Sequence, residues 1–218
     1  MNIAHYIDHT ILKPDTTEDQ IIQLCDEAKE HRFHSVCIPP YYLTLAKNEL
    51  MDFPIATTTV IGFPIGYDHI QAKESSILKS IHSGADELDI VLNVSAVKSG
   101  HWNYIRKEMH VYKSLAHEYR KTVKFILETG LLTNQEIIDL CGLCNDDPPD
   151  FVKTSTGFFG EGVTMDVIKL LRRNLKANLK IKASGGIKDY TTALQLIRSG
   201  ADRLGCSSSV AILKEASV

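Results

Sequence analysis

Residues 179–208 read LKIKASGGIKDYTTALQLIRSGADRLGCSS, and this stretch indicates the fold. It opens with alternating apolar and polar side chains, which is the pattern of a β-strand. After Gly185-Gly186 it continues into an apolar periodicity that predicts a helix over 191–199. Ser199-Gly200-Ala201-Asp202 then leads into a second short strand. A strand, a helix and a further strand in this order form a βαβ unit of a parallel sheet.

The same alternation of strand and helix extends along the whole chain. Strands are predicted over residues 8–12, 35–38, 56–62, 87–92, 122–128, 150–153, 179–183 and 202–205. Helices are predicted over residues 18–31, 41–49, 70–83, 103–119, 134–143, 165–174, 191–199 and 208–214. A second Ser-Gly-Ala-Asp segment, at 83–86, lies four units before the first one. The pattern predicts an α/β fold, a single-domain (β/α)₈ TIM barrel over residues 1–218. The alternative is a doubly wound open sheet, which usually stops at about five or six strands.

Composition narrows the class of protein. The chain has 218 residues, of which 44% are hydrophobic and 23% charged, and a net charge of −3. We therefore expect a globular protein that binds neither nucleic acid nor a membrane. The N-terminus, MNIAHYIDHTILKPD, lacks the basic and apolar regions of a secretory signal. Five cysteines in a chain of this length do not form a disulfide framework, so we expect a reducing, cytoplasmic location.

Two lysines are predicted at the C-terminal ends of neighbouring strands, where barrels of this kind carry their active sites. Lys153 ends the sixth strand and Lys182 lies near the end of the seventh. Strand alternation directs Leu179, Ile181 and Ala183 towards the helices, so Lys180, Lys182 and Ser184 should point into the barrel. In the fourth strand the same rule directs Asp89 and Asn93 inward.

A pair of inward lysines has a chemical use, because only a neutral amine attacks a carbonyl. A free lysine has a pKa of about 10.4. Two ammonium groups about 5 Å apart repel by roughly 3 kcal/mol at an effective dielectric of ~20, which corresponds to about two pKa units. With partial desolvation, this repulsion could bring one amine to a pKa of about 7–8, although a nearby carboxylate would reduce the shift.

The segments after the last two strands predict a phosphate site. Ser184-Gly185-Gly186-Ile187 follows the seventh strand, and Gly205-Cys206-Ser207-Ser208 leads from the eighth into a helix. Glycines let backbone N–H groups approach an anion, and barrels of this class often bind phosphate at these two positions. Each segment alone has a simpler interpretation, an ordinary turn for the glycine pair and a helix N-cap for the serines.

Taken together, the motifs resemble the deoxyribose-phosphate aldolase family over nearly the whole chain. The most specific are Lys153-Thr154-Ser155-Thr156-Gly157 and Lys182-Ala183-Ser184-Gly185-Gly186-Ile187. The other matching segments are 7–10, 36–38, 60–64, 84–89, 128–129 and 205–208. The resemblance implies a class I aldolase, a lyase of deoxyribonucleotide catabolism. Its substrates would be small phosphosugars and aldehydes, since the family reversibly cleaves 2-deoxy-D-ribose 5-phosphate to D-glyceraldehyde 3-phosphate and acetaldehyde.

The resemblance also assigns roles to residues. It implies that Lys153 forms the Schiff base, that Lys182 lowers the pKa of that amine and that Asp89 relays protons through bound water. The implied substrate-binding residues are Asp8, Cys37, Thr154, Gly157, Gly185, Gly186, Gly205, Ser207 and Ser208. No metal or organic cofactor is implied. We interpret the Cys141-Gly142-Leu143-Cys144 segment as structural, because further zinc ligands are lacking nearby in the sequence.

Some alternatives stay open at this stage. A phosphosugar isomerase or epimerase would share the phosphate site but would not need the lysine pair, and a non-catalytic phosphometabolite-binding barrel would need neither lysine. Many members of the family end in a tyrosine that helps to protonate the enamine, whereas the last tyrosine here is Tyr190. We expect this difference to affect the efficiency of turnover rather than the type of reaction. A homodimer is one assembly that we consider.

Overall fold

Eight parallel strands close into a barrel in the computed structural model, which describes residues 3–160 and 162–216. The strands are β1 (Ile7–Thr10), β2 (Ser35–Ile38), β3 (Ala56–Ile61), β4 (Glu87–Val91), β5 (Thr122–Ile126), β6 (Phe151–Lys153), β7 (Lys180–Ser184) and β8 (Arg203–Cys206). Each strand pairs with the next, and β8 pairs with β1 through the Asp8 and Gly205 register. The TIM barrel predicted from the sequence is therefore confirmed, and the open sheet is excluded.

Helices follow the strands around the outside of the barrel. They are α1 (Glu18–His31), α2 (Leu43–Glu49), α3 (Ile70–His82), α4 (Val94–Lys98), α5 (Trp102–Glu118), α6 (Asn134–Asp146), α7 (Met165–Asn174), α8 (Tyr190–Arg198) and α9 (Ser209–Glu215). Short 3₁₀ turns occur at Ala4–Tyr6, Pro40–Tyr42 and Thr129–Leu131. In the part of the chain that is described, no helix is both long and apolar enough to cross a membrane.

Most predicted boundaries of the strands and helices lie within two residues of the observed ones. Three differences concern α2, α4 and α6. Helix α4 was not predicted, because five residues are too few to show a helical period. The helix predicted to start at Tyr41 begins instead as a 3₁₀ turn, and α6 continues three residues beyond its predicted end. The C-terminal residues Ser217 and Val218, which bear on the expectation about the tyrosine, lie outside the described residues.

Strand alternation orients the inward side chains largely as predicted. The ammonium group of Lys182 reaches carboxylates of β1 and β4 across the barrel, so it points inward. Lys180 lies at the opposite, N-terminal mouth, where it is exposed and its Nζ is 5.4 Å from the ring centre of Phe151. The prediction for Asn93 was wrong, because β4 ends at Val91 and the Asn93 side chain caps α4 by accepting from the Ala96 N–H.

A buried ion pair fixes the chain where β4 ends. Lys73 of α3 donates to Glu108 of α5 at 2.6 Å and to the carbonyl of Val91 at 2.8 Å. Glu108 in turn accepts from the backbone N–H of Asn93 at 3.0 Å. Both charged side chains are almost completely buried. The pair therefore holds the segment that directly follows Asp89 in the chain.

Replacing Lys73 with methionine is expected to lower the free energy of unfolding by about 3–5 kcal/mol, because it leaves the Glu108 carboxylate buried without a cation. Urea unfolding followed by circular dichroism measures the change. Lys107→Met is the control, since Lys107 is an exposed lysine of α5, the helix that carries Glu108, and its effect should stay within about 0.5 kcal/mol. A loss below about 1 kcal/mol for Lys73→Met would contradict the importance of the pair.

Candidate active site

Lys153 and Lys182 meet at one carboxylate inside the barrel. They are partners in the register between β6 and β7. The Nζ of Lys153 lies 2.7 Å from Asp89 Oδ2, and the Nζ of Lys182 lies 2.8 Å from the same oxygen. All three side chains are buried. The structure thus brings together Lys153, Lys182 and Asp89, the three residues predicted from the sequence to be catalytic.

The carboxylates keep Lys182 charged. Burial by itself would lower the pKa of this amine, but the nearby carboxylates of Asp8 and Asp89 outweigh burial and raise the pKa. Asp89 shows the opposite balance: burial would raise the pKa of its carboxyl, but Lys124, Lys153 and Lys182 hold it well below its usual range. Lys182 is therefore a fixed cation and Asp89 a fixed anion at neutral pH.

Two further basic residues of this cluster, Lys124 and Arg203, were not predicted from the sequence. Lys124 of β5 donates to Asp89 Oδ1 at 2.7 Å and lies 2.6 Å from Glu87. Arg203 of β8 donates to Asp8 Oδ1 at 2.8 Å. The signal for Lys124 was present, because it stands between the apolar residues Val123 and Phe125 just as Lys182 stands between Ile181 and Ala183.

The buried cluster contains one more basic group than it has carboxylates. Its acidic members are Asp8, Glu87 and Asp89, and its basic members are Lys124, Lys153, Lys182 and Arg203. Carboxylates raise the pKa of Lys124, Lys182 and Arg203, although burial opposes this effect. The free-energy cost of burying several charges together is lowest when positive and negative charges are equal in number. In this cluster the numbers are equal when Lys153 is uncharged.

A cavity of about 260 Å³ opens above Lys153 at the C-terminal end of the strands. Its wall includes the predicted binding residues Gly157, Gly185, Gly186, Gly205, Ser207 and Ser208. Gly185 has a φ of 96° and Gly186 a φ of 75°, which favour glycine. A Cβ on Gly205 would lie 3.1 Å from Lys182 Cε, so this glycine also makes room for the stem of the lysine.

Three predicted binding residues lie below or behind the cavity wall. Asp8 belongs to the ionic cluster, where it contacts Lys182. The Thr154 hydroxyl joins β6 to β7, since it donates to the Ser184 carbonyl at 3.1 Å and accepts from the Ser184 N–H at 3.0 Å. Cys37 is fully buried, and burial raises the pKa of its thiol.

Further residues line the cavity that sequence analysis did not single out. Thr156, Phe158 and Lys188 are among them. Thr156 is part of the same motif as Lys153, and Lys188 directly follows the Gly-Gly-Ile segment, so the motifs already contained the signal. Phe158 contacts Phe63 of the loop after β3 edge to face, with ring centres 5.2 Å apart. Phe158 lines this cavity, and Phe63 and Phe158 both line the cavity next to it.

The described residues contain no group of three or more His, Cys, Asp or Glu side chains placed to hold a metal ion. Cys141 and Cys144 of α6 are both buried and unpaired. Burial raises the pKa of the Cys141 thiol to about 12. This cysteine pair is part of the packing between helix and barrel.

Comparison with known proteins gives matches over the full chain. The family model for the DeoC/LacD family aldolases matches residues 2–214. Among curated relatives, the deoxyribose-phosphate aldolase of Caldanaerobacter subterraneus subsp. tengcongensis is 43% identical over 216 residues, which cover 99% of this chain and 94% of the relative. That of Thermococcus gammatolerans is 43% identical over 218 residues and covers 99% and 97%, respectively.

Solved structures agree with these matches. A putative deoxyribose-phosphate aldolase from Coccidioides immitis superposes with a TM-score of 0.95 and 36% identity, covering 100% of this chain and 86% of that one. The tetrameric deoxyribose phosphate aldolase of Aeropyrum pernix superposes with a TM-score of 0.91 and 29% identity, covering 99% and 91%. The cluster of lysines under a glycine-lined cavity thus occurs on a chain that is similar to aldolases along its full length. The chain belongs to the DeoC/LacD family of aldolases.

Proposed function

We propose that this aldolase reversibly cleaves 2-deoxy-D-ribose 5-phosphate to acetaldehyde and D-glyceraldehyde 3-phosphate through a Schiff base on Lys153. The observation that carries the proposal is the shared contact of Lys153 and Lys182 with Asp89 beneath an open cavity. The substrate is proposed because the curated relatives are named for it. The same substrate would give the protein a role in deoxyribonucleotide catabolism.

The proposed reaction begins when neutral Lys153 attacks the aldehyde carbon of the sugar and water leaves, which produces an iminium ion. The iminium accepts the electron pair of the carbon–carbon bond that breaks. Asp89, with a water molecule held by Lys182, would take the hydroxyl proton that this cleavage releases. The enamine that remains is then protonated and hydrolysed, and acetaldehyde leaves.

Lys182 supports this chemistry by its charge. Because Asp8 and Asp89 raise the pKa of Lys182, it stays an ammonium group beside the reacting amine. A fixed positive charge favours the uncharged form of a neighbouring amine and stabilises a developing alkoxide. Lys153 is the group that can lose its charge without unbalancing the cluster.

The glycine-lined wall of the cavity is proposed to bind the 5-phosphate. Gly185, Gly186, Ser207 and Ser208 line the cavity together with Lys153. Their backbone N–H groups and the two serine hydroxyls are the proposed donors to the phosphate. Binding energy from this remote group can fix the orientation of the reacting carbon. Thr154, Cys37 and Asp8 are proposed to shape the floor of the site rather than to contact the phosphate.

Replacing Ser207 with alanine is expected to raise the KM for deoxyribose 5-phosphate roughly 10- to 100-fold, because a hydrogen bond to a charged group contributes about 1.5–3 kcal/mol. Cleavage of unphosphorylated 2-deoxyribose should stay unchanged, and this substrate is the internal control. Steady-state kinetics with both sugars measures the difference. An equal loss with both sugars would show that Ser207 acts on the fold of the loop and not on the phosphate.

The Schiff base can be tested directly. Acetaldehyde and borohydride should leave a reduced ethyl group on Lys153, which peptide mass spectrometry locates. A phosphosugar isomerase or a non-catalytic phosphate-binding barrel would give no adduct under conditions that label a known class I aldolase. Release of acetaldehyde from deoxyribose 5-phosphate, measured with a coupled dehydrogenase, then identifies the substrate.

The proposal extends to the number of domains, the cellular location and the assembly of the chain. We propose that residues 1–218 form one domain, because the barrel and its helices use the described chain from Ala4 to Glu215. All five cysteines are unpaired, which supports a reducing, cytoplasmic location. A homodimer stays a prediction, and light scattering on the purified protein would measure the assembly state.

A further inference from the structure

Glu128 is a buried carboxyl group close to Lys153 that the proposed reaction leaves without a role. It follows β5 and is 1% exposed. Among the described residues, no lysine, arginine or histidine lies within salt-bridge distance of it, whereas Asp8, Glu87 and Asp89 each contact a basic group. Burial raises the pKa of Glu128 despite hydrogen bonds from Thr156 and the charge of Lys153. Glu128 is therefore the carboxyl group of this region that retains a proton most readily.

The hydrogen bonds of Glu128 lead to the active-site cavity. The Thr156 N–H donates to both carboxyl oxygens of Glu128, at 3.1 and 3.3 Å. The Thr156 hydroxyl also donates to Glu128 Oε2 and accepts from the Phe158 N–H at 3.2 Å. Thr156 lines the same cavity as Lys153. The Thr156 hydroxyl thus connects a buried acid to the space where an aldehyde on Lys153 would lie.

The backbone of Glu128 supports a specific role. Its φ of 60° and ψ of 57° fall in the left-handed region, which favours glycine and which few side chains adopt. Non-glycine residues keep such a conformation where the surrounding structure requires it, and they cluster at active sites. In this conformation the Glu128 side chain reaches the backbone and hydroxyl of Thr156 after β6, on the neighbouring strand.

We propose that Glu128 supplies the proton that converts the enamine on Lys153 into an iminium ion, and that the Thr156 hydroxyl transfers this proton. This inference rests on the proposed Schiff-base function. Thr156 is the catalytic residue in this step, and Glu128 acts through it. The step gives a role to a carboxyl group that, unlike Asp8, Glu87 and Asp89, has no cationic partner among the described residues.

In this step one proton moves from Glu128 through Thr156 to the enamine carbon. The enamine nitrogen shares its lone pair with carbon to form the C=N⁺ bond, and the terminal enamine carbon takes the proton from the Thr156 hydroxyl. When Glu128 is protonated, its O–H donates to the Thr156 oxygen, which reverses the direction of the hydrogen bond that Thr156 makes to the carboxylate. This O–H bond breaks as the Thr156 oxygen takes the proton. Glu128 is left as a carboxylate near the new iminium cation, and it regains a proton from water in the open cavity through the Thr156 hydroxyl, since Thr156 lines that cavity and Glu128 is buried behind it. In the reverse direction the same groups remove a proton from the methyl carbon of the iminium.

Two partial reactions of acetaldehyde separate this step from the formation of the Schiff base. Trapping with borohydride reports formation of the iminium on Lys153. Exchange of the methyl protons of acetaldehyde in D₂O, followed by proton NMR, reports interconversion of iminium and enamine. A residue that only maintains the fold would affect both readouts together, whereas a proton donor affects the exchange alone.

For Glu128→Gln, we expect methyl exchange to slow by about 10²-fold or more, the usual contribution of a general acid, while the borohydride adduct stays within about twofold of wild type. Thr156→Val should give the same division, and Thr156→Ser, which keeps the hydroxyl, should restore exchange to within a few-fold. The control is Glu118→Gln, the same chemical change on an exposed glutamate of α5, which should change neither readout.

Several results would overturn the proposal. One is exchange within about threefold of wild type in Glu128→Gln; another is a parallel loss of exchange and adduct in both Glu128→Gln and Thr156→Val. A wild-type protein that forms no adduct would instead reject the proposed function itself. Wild-type adduct and exchange together with normal exchange in Glu128→Gln would reject only the role of Glu128.

Discussion

Lys153→Met is expected to lower the rate of deoxyribose 5-phosphate cleavage by about 10⁴-fold or more, as loss of a covalent nucleophile does in other enzymes. The substitution removes the amine that forms the carbon–nitrogen bond. Lys182 cannot replace it, because Asp8 and Asp89 raise the pKa of that amine and keep it charged. The variant should fold, since the loss of Lys153 leaves the cluster with three acidic and three basic groups. Acetaldehyde release and borohydride trapping measure the two consequences.

The control for this prediction is Lys169→Met, which changes an exposed lysine of α7 in the same way. It should retain wild-type activity and the adduct on Lys153. Activity above about one hundredth of wild type in Lys153→Met would contradict the nucleophile assignment, because that residual rate is far above the level expected without the amine. An adduct that appears on Lys182 in the variant would contradict the argument that this amine stays charged.

The second large effect is expected for Asp89→Asn. Asp89 is buried and contacts Lys124, Lys153 and Lys182, so the amide leaves several ammonium groups without their common anion. Loss of one partner from a buried ion pair lowers the free energy of unfolding by about 3–5 kcal/mol. The rate of cleavage should also fall, by about 10²–10⁴-fold, if Asp89 takes part in proton transfer. Urea unfolding and the cleavage assay measure these changes separately.

The control variant here is Asp52→Asn, because Asp52 is an exposed aspartate in the turn before β3. It should change stability by no more than about 0.5 kcal/mol. A stable Asp89→Asn variant with normal turnover would show that neither the ion cluster nor the proton relay depends on this carboxylate.

The same residue predicts a pH dependence of stability. The pKa of Asp89 is lowered on folding, so its ionisation favours the folded state above the pKa of an unfolded aspartate, which is about 3.9. As the pH falls below about 4, the unfolded chain takes up a proton that folded Asp89 does not, and this contribution is progressively lost. Acid unfolding of wild type should therefore be steeper than that of Asp89→Asn, which has no proton to gain at this position.

The fold could be predicted because its signal is local and repeated. Strands β4, β5 and β7 alternate polar and apolar residues over most of their length, and the unit of a strand followed by a helix recurs eight times. The direction of Lys182 followed from that alternation and is confirmed by its contacts with Asp8 and Asp89. Lys124 obeys the same rule and could have been found. Asn93 shows where the rule fails, since alternation has no meaning once the strand has ended and a helix begins.

The electrostatics of the site could be predicted only in part. From the sequence, repulsion between Lys153 and Lys182 was expected to lower the pKa of one amine, and any nearby carboxylate was expected to reduce that shift. The structure shows that Asp89 contacts both amines, and that Asp8 contacts Lys182 as well. Repulsion between two charges is much weaker when an anion touches both. Contacts of this kind join β1, β4, β6 and β7, which lie far apart in the chain, so no local pattern reveals them.

Gly205 lies between the proposed phosphate site and the side chain of Lys182. It lines the cavity on the side assigned to the anion, and a Cβ at this position would lie 3.1 Å from the Cε of Lys182. A larger side chain at residue 205 would therefore press on the stem of a lysine that must stay beside the reacting amine. Attempts to retune the enzyme for uncharged aldehydes by filling this corner would disturb the chemical step along with anion affinity. Replacing Ser207 with alanine removes a hydroxyl without adding a larger side chain. This substitution would therefore lower the affinity for the anion without disturbing the chemical step.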